Sequence, residues 1–265
     1  MTELLIASVL FLAYANGAND NFKGVATLLG SSTTGYRKAL AWSTVSTFAG
    51  SVLAAFFSYR LLHIFSGKGL VPDALLDLPF LTAVGFSAAC TVIIATRSGV
   101  PISTTHSLTG ALSGAGLISV WTDVRFAELW GVFLLPLLVS PLLSLAATRG
   151  LYPILRGLRL RMGIGKQTCV CVEPGGDWVP VGIGEATALQ SSGLALRVDD
   201  ISSCAERYSG GVLGVSAQTV LDRLHFLSAG AVCLARGLND TPKIVALLSG
   251  AYLLSPGSAS FAVGL

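Results

Sequence analysis

Long hydrophobic runs alternate with short polar segments along the first half of the chain. Three runs have about the 20 residues that a helix needs to cross a bilayer, namely Ala39–Tyr59, Leu78–Thr96 and Ala127–Ala147. Two others are irregular: Leu4–Gly30 is interrupted by a polar motif, and Leu108–Trp121 is short and rich in Gly and Ser. The pattern predicts membrane-spanning helices, of which these two are discontinuous.

The character of the chain changes between Arg149 and His225. This stretch holds eight Lys or Arg and seven Asp or Glu residues, and it has no apolar run of spanning length. Alternating segments within it predict strands at Cys169–Val172, Trp178–Ile183 and Leu194–Val198. Its beginning is basic, and the positive-inside tendency places that edge in the cytoplasm. The basic residues are Arg149, Arg156, Arg159, Arg161 and Lys166.

These changes divide the chain into three parts. Residues 1–148 form a first transmembrane repeat and 149–225 a small α+β cytoplasmic insertion. Hydrophobic sequence resumes at Phe226, so 226–265 is predicted to begin a second transmembrane repeat.

Composition supports a membrane protein and argues against several other classes. Hydrophobic residues make up 52% of the chain and charged residues 12%, with a mean hydropathy of +0.72. A soluble domain carries about 25% charged residues. The net charge of +3 is too small and too scattered to indicate nucleic-acid binding. Five cysteines form no disulfide framework, and Cys169-Val170-Cys171 lacks the second pair or histidine of a metal site.

One polar motif occurs twice within apolar surroundings. Both copies have the pattern Gly-x-Asn-Asp-x-x-Lys, at Gly17–Lys23 and Gly237–Lys243. Ionisable residues are costly at membrane depth and usually mark a substrate or ion pathway. Two copies indicate a transporter built from internal repeats, with a binding site where the copies meet. An odd number of crossings between the copies inverts the second one and an even number keeps them parallel; the sequence leaves this count open.

The acidic and basic residues of the motif are spaced for an anion site. Asp20 and Lys23 are three positions apart, as are Asp240 and Lys243, so each pair can share a helix face. We predict that all four bind an anionic substrate, the lysines by neutralising its charge. The alternative is an internal Asp–Lys pair that only fixes helix packing.

The remaining motif residues suit a cation. Asn19 and Asn239 offer neutral oxygens for Na⁺. Gly17 and Gly237 permit a helix break that frees backbone carbonyls for a coupling ion.

A second feature is the segment Pro101–His106. Proline followed by Ser103, Thr104 and Thr105 predicts the capped start of a half-helix. A helix N-terminus has free N–H groups and a positive dipole end, which suit phosphate or sulfate. An ordinary cap without a ligand is the alternative. A hydrolase would need Ser103 or Thr104 paired with His106, and because the half-helix explains these residues better, we predict no enzyme.

In these motifs the chain resembles the inorganic phosphate transporter family (PiT, or Pho-4). That family pairs two Gly-x-Asn-Asp signatures, here Gly17–Asp20 and Gly237–Asp240, with a Pro-Ile-Ser-Thr-Thr-His segment, here Pro101–His106. The likeness covers Leu4–Ala147 and Phe226–Leu265. It implies an all-α polytopic membrane protein with inverted repeats and discontinuous helices, plus the α+β soluble insertion. It also implies a homodimer in the plasma (inner) membrane that cotransports phosphate with Na⁺ or H⁺.

The resemblance also implies roles for single residues. Phosphate would be contacted by Asp20, Asp240, Thr104 and Thr105. The coupling ion would be bound by Asn19, Asn239 and Ser103.

The chain departs from the family pattern at two places. The usual signature continues with small apolar and amide residues, whereas this chain has Asn21-Phe22-Lys23 and Thr241-Pro242-Lys243. The added lysines can shift the oxyanion preference towards sulfate. No partner of Pro101–His106 follows Gly250, so we expect either a fragment or a remainder supplied by another chain.

The sequence therefore predicts secondary-active phosphate transport by alternating access, with no cofactor and with Na⁺ or H⁺ as the coupling ion. A sulfate permease of the same architecture is the nearest alternative. A membrane-anchored regulator whose 149–225 domain binds a partner is a rival from another class. Deleting that domain separates the two classes, because a transporter keeps some uptake and a regulator loses its activity.

Overall fold

The structure, a computed structural model, describes residues 1–57, 59–67, 70–120, 124–165, 168–180, 187–200 and 215–250. It contains two compact units. One consists of Met1–Leu143 with the described part of 226–265, and the other is Ser144–His225.

Nine α-helices are described, several of them joined by short turns. They are α1 (Thr2–Asp20), α2 (Ala26–Gly30), α3 (Tyr36–Phe57), α4 (Tyr59–Phe65), α5 (Leu78–Arg97), α6 (Thr104–Ser119), α7 (Phe126–Glu128), α8 (Leu135–Arg161) and α9 (Ala217–Gly250). A 3₁₀ turn at Asp73–Leu75 precedes α5, and a π-helical segment at Leu129–Leu134 connects α7 to α8.

Three helical segments are long and apolar enough to cross a membrane. They are α3, α5 and the continuous helix Phe126–Arg161. These are the three comfortable spans that the hydrophobic pattern predicts, so the prediction of three apolar helices of spanning length is confirmed. The third helix extends well beyond the predicted end at Ala147, because basic side chains can continue an α-helix past the apolar run.

The two irregular segments differ from the simple spans. The first hydrophobic run is a helix that ends at Asp20, followed by turns and then by α2. The helix α6 has 16 residues, about 24 Å at 1.5 Å per residue. That is shorter than the hydrocarbon core of a bilayer, which is about 30 Å thick. It follows residues 100–103, which have no regular secondary structure, and Ser103 has extended backbone.

The core of the first unit forms where α1 packs against α5. Apolar residues three or four positions apart place one buried stripe on each helix. The stripe of α1 consists of Leu5, Val9, Leu12 and Ala15, and that of α5 consists of Leu81, Val84, Ala88 and Val92. The side chain of Asp77 caps α5 by accepting a hydrogen bond from the Phe80 amide at 2.9 Å. Leu108 and Leu112 of α6 and Ile244 of α9 join the same core.

The helices α3 and α9 approach each other closely through glycines. A Cβ at Gly50 would meet the carbonyl oxygen of Leu234, and a Cβ at Gly237 would meet the carbonyl oxygen of Thr47. Thr241 donates a hydrogen bond of 2.7 Å to Ser51 across the same contact. Small residues therefore set this helix separation, as is common in membranes.

The second unit contains a three-stranded antiparallel sheet with the order β2-β1-β3. Its strands are β1 (Thr168–Pro180), β2 (Thr187–Asp200) and β3 (Val215–Ser216). The predicted strand at Cys169–Val172 and the beginning of the one at Trp178–Ile183 form one continuous strand, with a register shift between Gly175 and Gly176. A bulge lets a strand continue through glycines that sequence reasoning takes for a turn. Ile183 lies outside the described residues.

Candidate functional site

The two motif copies lie on either side of a cavity of about 560 Å³. The cavity is lined by α1, α3 and α9, and its charged lining residues are Asp20, Arg236 and Asp240. Asp20 is the last residue of α1, and the chain then turns through residues 21–25 before α2 begins. Asp240 lies in the interior of α9. The repeated aspartates are therefore presented by different local structures.

Asp20 is held by side chains on both of its carboxylate oxygens. Lys23 Nζ lies 2.6 Å from Oδ1, and Asn19 Nδ2 donates to the same oxygen at 2.8 Å. Arg236 Nη2 lies 2.7 Å from Oδ2. The Asp20 side chain is 10% exposed, so its charge is compensated inside the protein by one cation from each motif copy.

The ammonium group of Lys23 is surrounded by three oxygen atoms. Besides Asp20 Oδ1, Nζ contacts Asn19 Oδ1 at 3.1 Å and the carbonyl oxygen of Ile102 at 3.5 Å. Asn19 Nδ2 donates to the same carbonyl at 3.0 Å. The first motif copy is thereby joined to the residue that precedes Ser103 and α6.

The second copy makes a similar but more buried arrangement. Lys243 Nζ lies 3.3 Å from Asp240 Oδ1, and it donates to Thr105 Oγ1 at 2.7 Å. The Lys243 side chain is 6% exposed, compared with 41% for Lys23. Asn239 donates to Asp240 Oδ1 at 3.1 Å. Among the described residues, all the hydrogen bonds and ion pairs of the Asp240 carboxylate are made by Oδ1.

The beginning of α6 lies between the two motif copies. Thr104 Oγ1 donates to Asn16 Oδ1 of α1 at 2.6 Å, whereas Thr105 Oγ1 accepts from Lys243 of α9. Ser103 occupies the N-cap position, but its side chain makes no capping hydrogen bond. The structure thus brings Asp20, Lys23 and Asn19 to one side of this helix start and Lys243 with Asp240 to the other.

The predicted helix breaks at the motif glycines are not found. The helix α1 continues through Gly17 and ends three residues later, and α9 is continuous through Gly237 and Pro242. The expectation that these glycines free backbone carbonyls is therefore wrong. Gly237 instead has no room for a Cβ beside α3, and nothing lies within 4 Å of the Cβ position at Gly17. Close packing of α9 against α3 explains why the second copy has a glycine at position 237. Near the first copy, the helix ends only after Asp20.

Arg236 is the functional residue that the sequence reasoning missed. It precedes Gly237 in the second copy, at the position that Asn16 occupies in the first. A position-by-position alignment of the two copies could have revealed it, because it places a charged arginine opposite the neutral Asn16 within an apolar stretch. Asn16 itself contacts Thr104, so both members of this pair connect motif elements.

The charges of this cluster do not balance. Three cations, Lys23, Arg236 and Lys243, accompany two carboxylates, Asp20 and Asp240, which leaves one excess positive charge. The first turn of α6 adds the positive end of a helix dipole. The cluster as a whole attracts an anion, although the charged residues that line the cavity itself are Asp20, Asp240 and Arg236. No group of three or more His, Cys, Asp or Glu residues suited to a metal ion occurs among the described residues.

Comparison with known proteins identifies the family. The model of the phosphate transporter family (PHO4) matches residues 16–262, which is most of the chain. The chain therefore belongs to the phosphate transporter family, a family of membrane transporters rather than enzymes.

Individual relatives are distant. The chain is 23% identical to a protein of Pyrococcus furiosus named "putative phosphate permease", over 95% of this chain and 66% of that protein. It is 28% identical to a protein of Plasmodium falciparum named a sodium-dependent phosphate transporter, over 57% of this chain and 23% of that protein. The chain thus spans a little under two thirds of the Pyrococcus protein.

A solved structure has the same fold. A chain described as the sodium-dependent phosphate transporter superposes with a TM-score of 0.63 and 19% sequence identity, covering all of this chain and 73% of that one. At this identity the likeness establishes the fold, and it agrees with the predicted mostly helical architecture.

Proposed function

We propose that this chain transports inorganic phosphate across the membrane by secondary-active alternating access, coupled to Na⁺ or H⁺. The observation that carries the proposal is the ion pair between Asp20 and Arg236, which joins the two motif copies at the lining of the cavity. Family membership indicates the class of substrate. Alternating access requires a site shared by elements that move relative to one another, and we infer such a site where α1, α6 and α9 are in contact.

We propose separate roles for the site residues. Thr104 and Thr105 donate to phosphate from the start of α6 once their present partners release them. Asp20 and Asp240 accept hydrogen bonds from the protonated oxygens of phosphate, and Lys23 and Lys243 neutralise the anion. Asn19, Ser103 and Asn239 bind the coupling ion. The contact of Lys243 with Thr105 at 2.7 Å supports a common site for the two motif types.

The wider organisation also remains a proposal. We infer inverted repeats at 1–148 and 226–265, with 149–225 as a cytoplasmic soluble insertion in a multi-pass plasma-membrane protein. The basic residues Arg149, Arg156 and Arg159 support the cytoplasmic side. Arg149 lies inside α8, so this boundary marks a change of composition rather than the end of a helix. The homodimer rests on the family resemblance.

One observation favours sulfate as a second candidate substrate. HPO₄²⁻ and H₂PO₄⁻ can donate a hydrogen bond to a carboxylate, but SO₄²⁻ cannot. Both carboxylate oxygens of Asp20 already have cationic partners. If Asp20 keeps these partners during transport, it has less acceptor capacity to offer phosphate, and its contribution to discrimination is reduced.

Labelled-phosphate uptake tests the proposal. The natural reading frame is expressed in cells that lack their own phosphate systems, with excess unlabelled sulfate as competitor. Asp20→Asn is compared with Asp73→Asn, which alters an exposed aspartate outside the site. Uptake that survives sulfate, falls markedly in Asp20→Asn and persists in Asp73→Asn supports phosphate transport through the motif. Uptake abolished by sulfate indicates a sulfate permease, and no uptake from protein present in the membrane contradicts transport.

A further inference from the structure

The lysine of each motif copy lies where a transported cation would be expected. Lys23 Nζ contacts a carboxylate oxygen of Asp20, the carboxamide oxygen of Asn19 and the carbonyl oxygen of Ile102, at 2.6, 3.1 and 3.5 Å. Carboxylate, amide and main-chain oxygens are the ligands that coordinate alkali and other hard cations in proteins. Here an ammonium group that is covalently part of the chain occupies the centre of this oxygen set.

The second copy repeats the arrangement with a different oxygen set. Lys243 Nζ contacts Asp240 Oδ1 at 3.3 Å and Thr105 Oγ1 at 2.7 Å, and it lies 5.6 Å from the centre of the Phe65 ring. An aromatic face is a further partner for a cation. In both copies the ammonium group lies on Oδ1 of the aspartate three residues earlier.

A sodium ion at either position would have to share its oxygens with this ammonium group. Asn19 uses its amide nitrogen for Asp20 and Ile102, and its oxygen accepts from Lys23 Nζ at 3.1 Å and from Thr96 Oγ1 at 3.3 Å. A second cation placed among these atoms would be repelled at short range by the lysine, and at Asp20 also by Arg236. Competition between a tethered and a dissolved cation favours the tethered one, because it has no translational freedom to lose.

We propose that Lys23 and Lys243 are built-in cations that take the place of Na⁺ at two repeat-related positions, so that transport by this chain does not require Na⁺. This inference deepens the proposed function and rests on it. It assigns the coupling to H⁺. Both lysines then act by neutralising Asp20 and Asp240, which lowers the repulsion that an anionic substrate meets at the site. Neither lysine accompanies the substrate across the membrane.

Two measurements on the full natural chain test the inference. The first is phosphate uptake in sodium chloride and in choline chloride for the wild type and for Lys23→Asn and Lys243→Asn. Asparagine removes the ammonium group and restores a neutral oxygen. Lys38→Asn, at an exposed lysine near the start of α3, is the matched control.

We expect the wild type and the control to transport equally in both salts. At least one site variant gains stimulation by Na⁺ of roughly fivefold or more, in the range of ordinary coupling between two ligands. A wild type that loses uptake in choline overturns the inference, as do two folded site variants that remain indifferent to Na⁺.

The second measurement is the thermal unfolding temperature of the purified protein in detergent, in the same two salts. Only the site variants should be stabilised by Na⁺, because only they have a vacant cation position. Stabilisation of the wild type by Na⁺ overturns the inference even if no variant folds. If the wild type takes up no phosphate in either salt but the unfolding pattern holds, the proposed function fails and the assignment of the cation positions stands.

Discussion

Arg236 Nη2 lies 2.7 Å from Asp20 Oδ2, so an ion pair connects the first motif copy to the second. Asp20 ends α1, and Arg236 lies in the middle of α9. The corresponding residue of the first copy is Asn16, which contacts Thr104 instead. The repeated sequence thus produces an asymmetric site, because one position has exchanged an amide for a guanidinium group.

Replacing Arg236 with Gln should reduce phosphate uptake strongly. The change leaves Asp20 Oδ2 without its cation and removes the excess positive charge of the site. The Arg236 side chain is 31% exposed, so solvent screens the pair. We therefore expect a loss of about 1–2 kcal/mol in apparent binding, below the value for a fully buried pair. That corresponds to an increase in KM of roughly fivefold to thirtyfold.

A double-mutant cycle identifies the cause of this loss. If the ion pair carries the effect, Arg236→Gln combined with Asp20→Asn should cost less than the sum of the single changes. Arg37→Gln, at an exposed position in α3, should leave KM unchanged. Strict additivity of the two site changes would contradict the importance of the pair.

Asp240 is expected to discriminate phosphate from sulfate more strongly than Asp20. Its Oδ1 is engaged by Lys243 and Asn239, whereas Oδ2 makes none of the contacts among the described residues and the residue lines the cavity. Asp240→Asn should lower the preference for phosphate by roughly 1–3 kcal/mol, because an acceptor for the phosphate hydroxyl is lost.

Competition of labelled phosphate uptake by graded sulfate measures this preference. The preference is the inhibition constant of sulfate divided by that of unlabelled phosphate. This ratio should fall further in Asp240→Asn than in Asp20→Asn. An equal fall in both variants would show that Asp20 exchanges its cations for substrate.

The sequence predicted the parts of the fold that depend on local chemistry. Spans such as Leu78–Thr96 follow from runs of apolar residues, and the start of α6 follows from Pro101 and the hydroxyl residues after it. The helix break was misplaced because Gly17 permits a break without requiring one. The bulged strand was divided because Gly175 and Gly176 indicate a turn when their partner strand is unknown.

The site was only partly accessible to sequence reasoning. The repeated aspartates and lysines stand out because charge is costly in an apolar environment. The partner of Asp20 depends on how α1 and α9 come together, which no spacing within one copy encodes. The same holds for the contact between Lys243 and Thr105, whose residues are 138 positions apart.

Replacing Gly237 with Ala should destabilise the protein. The new Cβ would meet the carbonyl oxygen of Thr47 and lie 3.0 Å from the Ser51 amide nitrogen, so α3 and α9 would have to separate. Overpacking of this kind costs about 1–3 kcal/mol. Thermal unfolding in detergent should show a lower midpoint than for the wild type.

The equivalent change in the first copy is the matched control. A Cβ at Gly17 has nothing within 4 Å, and alanine is favoured over glycine within a helix by about 1 kcal/mol. Gly17→Ala should therefore keep or raise the unfolding midpoint. If both variants lose stability equally, the glycines serve a common backbone role and not the α3–α9 contact.

Thr105→Val and Thr109→Val should have opposite effects, although both remove one hydroxyl from α6. Thr105 Oγ1 accepts the hydrogen bond of the buried Lys243 ammonium at 2.7 Å, so valine leaves that charge short of a partner. We expect the free energy of unfolding to fall by about 1–3 kcal/mol and uptake to be clearly reduced.

Thr109 Oγ1 is buried and has no hydrogen-bond partner among the described residues. Valine should therefore be neutral or stabilising there, with uptake retained. Unfolding midpoints and uptake rates of the two variants, measured side by side, decide the matter: a loss of both stability and uptake in Thr109→Val alone would refute the assignment of Thr105 to the site.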